Sequence, residues 1–283
     1  MSFPAKGQEV EYISDKAFME KVEKGILELL KSDEVVGVNT LKKRVANLKE
    51  HAKVDAKLMP QRKKKLDTEE LYRVCKPSSL IVAIYETPQG ATTPVVSQWA
   101  SASALTEDGI CLTNYHVVGD IIGGGQRRIF DPTNRDSLRV VATAEGKVYP
   151  IVEILSYDFP NDMVLFRVDT RGDKLQPLPL GQPAPVGKPI HLIAHPDGRL
   201  FNYGQGIVTR NTSRTAHGVD TPKMEISIDF AKGSSGGAIL DDCGNLVGMV
   251  SFSNSIYFDN DGKMLQMHIR STIPVGVIKR FFQ

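Results

Sequence analysis

The chain has 283 residues, of which 41% are hydrophobic and 24% are charged, and this composition is typical of a globular protein with one large or two modest domains. Its 35 Lys and Arg residues nearly balance 33 Asp and Glu residues, so the net charge of +2 gives the whole chain no electrostatic reason to bind nucleic acid. No apolar run is long enough to predict a transmembrane helix, and the start of the chain lacks the apolar segment of a signal peptide.

The cysteine content favours a reducing compartment. The three cysteines, Cys75, Cys111 and Cys243, are widely spaced, which argues against both a disulfide framework and a zinc ribbon. We therefore predict a cytoplasmic protein that binds neither nucleic acid nor a membrane and needs no cofactor or metal.

Residues 1–76 predict helices. The first helix is expected to have Asp15 as its N-cap and an apolar face with spacings of three and four. The residues of that face are Phe18, Val22, Ile26, Leu29 and Leu30. A second helix is predicted from Asn39 or Thr40, because apolar residues continue at helical spacing as far as Met59.

The end of this helical region contains a basic run, residues 62–65, which we interpret as a solvated linker. A short helix over 66–73, capped by Asp67 or Thr68, is expected to follow it. Two arrangements of the helices stay open. They form either a hairpin packed on the rest of the chain or a seam through which residues 15–59 bind a protein partner or a second copy.

From residue 77 onward the pattern is that of a β protein. Short runs rich in β-branched residues are separated by clusters of Gly, Pro, Asn and Asp. The clearest runs are 80–85, 140–143, 164–168 and 246–250. The absence of helical periods between them predicts a sandwich or barrels, and residues 275–281 are expected to close the chain as a short helix. We therefore divide the chain into a helical region, 1–76, and a β domain, 77–283.

Three segments carry the residue types of a nucleophilic site. Ser235 lies in a turn whose glycines let the amides of Gly233 and Ser235 point into one cavity. His116 follows an apolar run, and Asp162 opens another, where its carboxylate can accept a hydrogen bond from an imidazole. Each residue alone has a structural explanation, as a turn serine, a buried histidine or a strand-start residue.

Together, the three residues favour catalysis. They occur in the order His, Asp, Ser with gaps of 46 and 73 residues. This order predicts that Ser235 is the nucleophile, that His116 is its base and that Asp162 orients His116.

Residues 77–283 resemble the trypsin-like serine proteases, in particular their HtrA/Deg branch. Residues 108–118 are similar to the D-G hairpin and T-N-x-H-V-V strand of that family, and 162–168 to its D-[LI]-A-[VL]-[LI]-[KR]-[VI] strand. Residues 233–239 resemble its G-N-S-G-G-x-L motif. Further similar segments are 205–208, 244–250 and 273–279. The resemblance implies a mainly β fold of two antiparallel six-stranded barrels, with an endopeptidase site for protein or peptide substrates between them.

The sequence departs from that family in several places. Ala100-Ser101-Ala102 stands where the family has G-S-G. Because 48 residues follow Ser235, we do not expect the PDZ domain of most HtrA proteins. Ser234 replaces the aspartate that pairs with a new N-terminus in secreted trypsins, so activation by insertion of an α-amino group is not expected. Residues 1–76 have no counterpart that we can map.

The resemblance also implies where substrate binds. Ser251, Phe252 and Ser253 resemble the strand against which the substrate backbone pairs. Asp229 lies six residues before Ser235, where trypsin has the aspartate of its specificity pocket, and this implies a preference for Arg or Lys. The alternative is that Asp229 is an outward residue of an alternating strand.

A latent or inactive protease-like module that binds or signals is the alternative function. In that case residues 1–76 cover the cleft, recruit a partner or assemble subunits. The basic run 62–65 would be a site for self-cleavage if Asp229 gives the enzyme a preference for Arg or Lys. The complete set of His116, Asp162 and Ser235 favours an active enzyme.

Overall fold

The computed structural model describes residues 10, 12–32, 35–88, 90–123, 137–259 and 261–282. The helices in this part of the chain are α1 (Asp15–Leu29), α2 (Val38–Val45), α3 (Thr68–Cys75), α4 (Tyr115–Ile122) and α5 (Val275–Lys279). Its strands are β1 (Ser79–Glu86), β2 (Val95–Ala104), β3 (Ile110–Thr113), β4 (Leu138–Ala142), β5 (Val148–Asp158), β6 (Met163–Val168), β7 (Pro189–Ala194), β8 (Asn202–Ala216), β9 (Val219–Ile226), β10 (Ala238–Leu240), β11 (Leu246–Tyr257) and β12 (Leu265–Pro274). The four predicted strand-like runs fall on β1, β4, β6 and β11, although β4 starts two residues before its predicted run and β11 extends seven residues beyond its own.

The strands close into two antiparallel barrels, which confirms the predicted fold. The order is β1-β2-β3-β6-β5-β4 in the first barrel and β10-β11-β12-β9-β8-β7 in the second. An apolar cluster joins them, with Leu112 and Leu165 from the first barrel and Leu240 and Met249 from the second. Because small barrels are filled by side chains, we expect a ligand to bind outside the barrel interiors.

Helix α1 packs on the first barrel through its predicted apolar face. Val22 and Ile26 are fully buried in a cluster that includes residues of β1 and β4. The N-cap is Ser14, whose hydroxyl accepts from the amide of Ala17 at 3.3 Å, so the prediction of Asp15 was wrong by one residue. The carboxylate of Asp15 instead accepts from the amide of Leu200 at 3.0 Å, which ties the helix to the segment between β7 and β8.

Helix α2 ends at Val45, so the prediction that it continues to Met59 was wrong. The following residues, 46–66, form an irregular strap that contacts both barrels, at Tyr157 of β5 and at Asp242 after β10. The Val54 amide donates to the carbonyl oxygen of Phe281 at 2.8 Å. The apolar residues at helical spacing after Val45 are half-buried by tertiary packing and not by a helix face.

The basic run belongs to the strap and is only partly solvated. The guanidinium of Arg62 donates to the carbonyl oxygen of Gly244 at 2.8 Å, and Lys65 pairs with Asp242 at 2.8 Å. Lys63 and Lys64 are exposed. The predicted solvation therefore holds for three of the four residues, since the Lys65 side chain is 74% exposed as well, whereas Arg62 is half-buried.

Helix α3 confirms the predicted short helix, and Asp67 is its N-cap, with Oδ1 accepting from the amide of Glu70 at 2.8 Å. The closing helix is present as α5. Among the described residues, no helix has the length and apolar character needed to cross a membrane.

Candidate active site

His116 lies in the first turn of α4, directly after β3. Asn114 is the N-cap residue of that helix, and its side-chain amide donates to the carbonyl oxygen of Asp162 at 2.9 Å. Since Thr113 of β3 lies opposite Val164 of β6, strand pairing brings the two segments to one end of the first barrel. The side chain of His116 is 49% exposed, so its imidazole is open to an incoming molecule.

The carboxylate of Asp162 holds both the backbone and the ring of His116. Asp162 has a left-handed backbone with φ of 62°, and its Oδ1 accepts from the His116 amide at 3.0 Å. The ring Nδ1 lies 3.0 Å from Oδ1 and 2.9 Å from Oδ2. Because a carboxylate can only accept, this contact assigns the proton to Nδ1 and leaves a lone pair on Nε2.

Ser235 completes the cluster from the second barrel. Its Oγ lies 3.0 Å from His116 Nε2, within reach for proton transfer. Gly236, the next residue, has φ of 87°, and a Cβ there would collide with the carbonyl oxygen of Ser101. The turn therefore needs glycine at position 236 to bring the hydroxyl against the imidazole.

The same turn holds two free amide donors. The amides of Gly233 and Ser235 donate to no acceptor among the described residues. The carbonyl oxygen of Lys232 accepts from the amide of Asp197 at 2.6 Å. Since the N–H of a trans peptide points opposite to its C=O, this bond turns the Gly233 amide away from Asp197. Donors in this position suit an oxygen that becomes negatively charged.

Ser101 links the turn to both barrels. It is fully buried in β2, and its amide donates to the carbonyl oxygen of Ser235 at 2.8 Å. Its hydroxyl donates to the carbonyl oxygen of Gly233 at 2.9 Å and accepts from the amide of His195 at 3.1 Å. The Ser101 side chain thus connects β2 with His195, the residue after β7, and with the turn that carries Ser235.

Replacing Ser101 with alanine is expected to lower kcat for peptide hydrolysis by about 10- to 100-fold with little change in KM, because the Gly233 peptide loses its anchor. Steady-state kinetics would measure this. The matched control is Ser156→Ala, since Ser156 is also fully buried but its hydroxyl has no hydrogen-bond partner among the described residues. Equal kcat values for the two variants would contradict the positioning role.

His195 lies beside the site and has a structural role. It is fully buried, and burial lowers the pKa of its imidazole to about 3. The ring is therefore neutral, and its Nδ1 accepts from the amide of Phe201 at 2.9 Å.

The predicted substrate residues lie in two places. Ser251 is buried, Phe252 half-buried and Ser253 exposed in β11. The Asp229 side chain is 88% exposed and pairs with Arg270 at 3.0 Å. A role for Asp229 as a pocket floor stays a prediction, and its carboxylate already has a cationic partner.

Ser101, Asn114 and Asp197 support the site through their hydrogen bonds, but they were not among the predicted site residues. Asn114 lies within residues 108–118, which carry the family resemblance, and Ser101 is the serine kept where the sequence departs from the family's G-S-G, so both positions were available signals. The hydrogen bond from the Asp197 amide to Lys232 has no sequence pattern that predicts it, apart from the turn-forming composition of residues 195–198.

Comparisons with known proteins identify the family of this chain. Residues 100–249 match the family described as trypsin-like peptidase domain. The chain is 29% identical over 174 residues to Protease Do-like 1, chloroplastic, of Arabidopsis thaliana, covering 59% of this chain and 34% of that protein. It is 23% identical over 231 residues to Protease Do-like 5, chloroplastic, of the same plant, covering 74% and 66%.

A third relative is Anti-sigma-I factor RsgI9 of Acetivibrio thermocellus, 31% identical over 166 residues that make up 57% of this chain and 20% of that protein. The chain thus spans between a fifth and two thirds of the length of these relatives.

The two-barrel fold and the matched segment define a protein of the peptidase class. The chain belongs to the trypsin-like peptidase domain family, and more than half of it lies within the match, which includes His116, Asp162 and Ser235. It is a distant homologue of the HtrA/Do-like proteases.

Proposed function

We propose that the protein is a serine endopeptidase that uses His116, Asp162 and Ser235 as a catalytic triad. The observation that carries the proposal is the continuous contact from the Asp162 carboxylate through the His116 imidazole to the Ser235 hydroxyl, with separations of 2.9 and 3.0 Å. The family membership supports peptide hydrolysis as the reaction.

In the proposed reaction, Ser235 Oγ attacks the carbonyl carbon of the peptide while its proton moves to His116 Nε2. The carbonyl oxygen becomes an oxyanion held by the Gly233 and Ser235 amides. The tetrahedral intermediate collapses as His116 gives the proton to the leaving amine. Water then attacks the acyl-enzyme with His116 again as base, which releases the acid and restores Ser235.

The free edge of β11 is proposed to bind the substrate backbone. On one side β11 pairs with β12 throughout residues 252–257. On the other side its pairing with β10 ends at Met249, so the edge at Ser251, Phe252 and Ser253 is open to an extended peptide. An Arg or Lys preference would require Asp229 to exchange Arg270 for the substrate cation.

We propose that residues 1–76 regulate the peptidase activity indirectly, through their packing on the two barrels. The described part of this region contributes buried residues to three apolar clusters of the protein. His116 is nevertheless accessible, so the described contacts do not support a covered cleft. Association through residues 15–59 stays a proposal, for which the exposed apolar residues Leu27 and Leu30 are available.

The test is labelling with a fluorophosphonate, combined with digestion of an unfolded protein. We expect the wild-type chain to cleave the unfolded protein and to form one phosphonyl adduct, located on Ser235 by peptide mass spectrometry. A His116→Ala variant should remain unlabelled, because its serine has no base. Absence of both labelling and cleavage in the folded wild type would favour the binding-module alternative.

A further inference from the structure

Three side chains with metal-binding groups meet beside the segment that carries Asp162. Glu50 and His51 belong to the strap, and Asp158 ends β5. One ligand atom from each lies within 4.8 Å of the other two. More than 100 residues separate the strap pair from Asp158 in the sequence, so no spacing motif reveals the group.

The carboxylates of this group are held by neighbouring donors. Asp158 accepts from the amide and the side-chain Nδ2 of Asn161, at 2.9 and 2.7 Å. Glu50 Oε1 accepts from the amide of Phe159 at 2.6 Å. Outer hydrogen bonds of this kind orient the ligands of protein metal sites.

The backbone places the third ligand. The amide of His51 donates to the carbonyl oxygen of Tyr157 at 2.9 Å, which fixes the strap against the end of β5. The imidazole then lies with Nδ1 3.7 Å from Asp158 Oδ2 and Nε2 3.9 Å from Glu50 Oε1, between the two carboxylates.

The charge balance of the group calls for a cation. The side chain of Asp158 is 1% exposed, and the His51 imidazole lies against it with Nδ1 at 3.7 Å. That single imidazole also faces Glu50, so the two carboxylates outnumber it, and buried carboxylates need a full counter-charge. Lys223 interacts electrostatically with Asp158, yet it forms no ion pair with it among the described residues. The neighbouring Asn161 is 4% exposed, and its Oδ1 is buried with no donor.

We propose that Glu50, His51 and Asp158 bind a divalent transition-metal ion, for which Zn²⁺ is the best match. An imidazole with two carboxylates is a ligand set that Zn²⁺ accepts, at bonds of about 2.0–2.2 Å. Asp158 is fixed by its burial. The more exposed side chains of Glu50 and His51, 37% and 57% accessible, adjust their rotamers to close on the ion, and water takes the remaining position.

Such an ion would join the strap to the active-site segment. Asp158 lies four residues before Asp162, and the ring of Phe159 packs edge-on against Tyr115, the neighbour of His116, at 5.1 Å. Binding to the folded state alone stabilises the protein by mass action, and here it holds residues 158–162 against the N-terminal region.

The test is isothermal titration of ZnCl₂ into the full-length Ser235→Ala chain, which makes the result independent of the proposed peptidase activity. We expect one Zn²⁺ per chain, with affinity at least about tenfold weaker in added His51→Ala or Glu50→Gln variants, since each removes one ligand. The matched control is His268→Ala, because His268 is an exposed histidine that contacts Ser255 on the β11–β12 hairpin. It should bind as the parent does.

Thermal unfolding provides the second readout. ZnCl₂ should raise the Tm of the parent and of His268→Ala but not of His51→Ala. The proposal is overturned if the parent binds no Zn²⁺ or if His51→Ala binds it as tightly as the parent. It is also overturned if only replacement of His116 abolishes binding, because the ion would then lie in the active-site cluster. Equal binding of MgCl₂ or CaCl₂ that is unaffected by His51→Ala would show a carboxylate site for hard cations and would also overturn it.

Discussion

Replacing Ser235 with alanine is expected to lower the rate of peptide hydrolysis by roughly 10⁴- to 10⁶-fold. The substitution removes the hydroxyl oxygen that lies 3.0 Å from His116 Nε2, so no acyl-enzyme can form. Initial rates on a fluorogenic peptide would measure the loss. The fold should be unaffected, because Ser235 is half-buried and alanine fits within the space of serine.

The double variant gives a sharper test of the same site. If His116 acts only through Ser235, adding His116→Ala to Ser235→Ala should cause almost no further loss, because residues that act as a unit are not additive. The control is Ser156→Ala, because the buried Ser156 hydroxyl has no hydrogen-bond partner among the described residues, and its replacement should leave the rate unchanged. Undiminished hydrolysis by Ser235→Ala would overturn the nucleophile assignment.

Deleting residues 1–76 is expected to abolish cooperative folding. The deletion removes apolar side chains buried against both barrels, namely Val22, Ile26, Leu29, Val38, Leu41, Val45, Val54 and Leu71. Loss of one such Leu or Ile side chain costs about 2–5 kcal/mol, whereas a whole domain is stable by only roughly 5–15 kcal/mol. Several such losses together therefore exceed the free energy of unfolding of the remaining domain.

Thermal unfolding followed by circular dichroism would test the deletion. We expect no sharp transition for residues 77–283 alone, and recovery of one when residues 1–76 are supplied as a separate chain. A Lys63→Ala, Lys64→Ala variant of the full chain is the control, because both side chains are exposed. A truncated chain that unfolds cooperatively and cleaves peptides faster than the full chain would instead support an inhibitory cover.

Local sequence patterns predicted the parts of the fold that depend on neighbouring residues. The strands follow from runs of β-branched residues between turn formers, and the cap of α3 follows from Asp67 and its position before an amphipathic run. The same patterns failed after Val45. There the apolar spacing of a helix is present, but burial against β-barrel surfaces decides the backbone instead, and the result is the strap.

The sequence by itself determined the mainly β class and the order of His116, Asp162 and Ser235. It also determined the glycines of the turn that carries Ser235. Residue type and local spacing carry this information. Only the tertiary structure decided the contact of Ser101 with Gly233, the pairing of Asp229 with Arg270 and the meeting of the strap with Asp158. These partners lie between 41 and 132 residues apart, and at such separations it is the packing of the two barrels, and no local pattern, that brings side chains together.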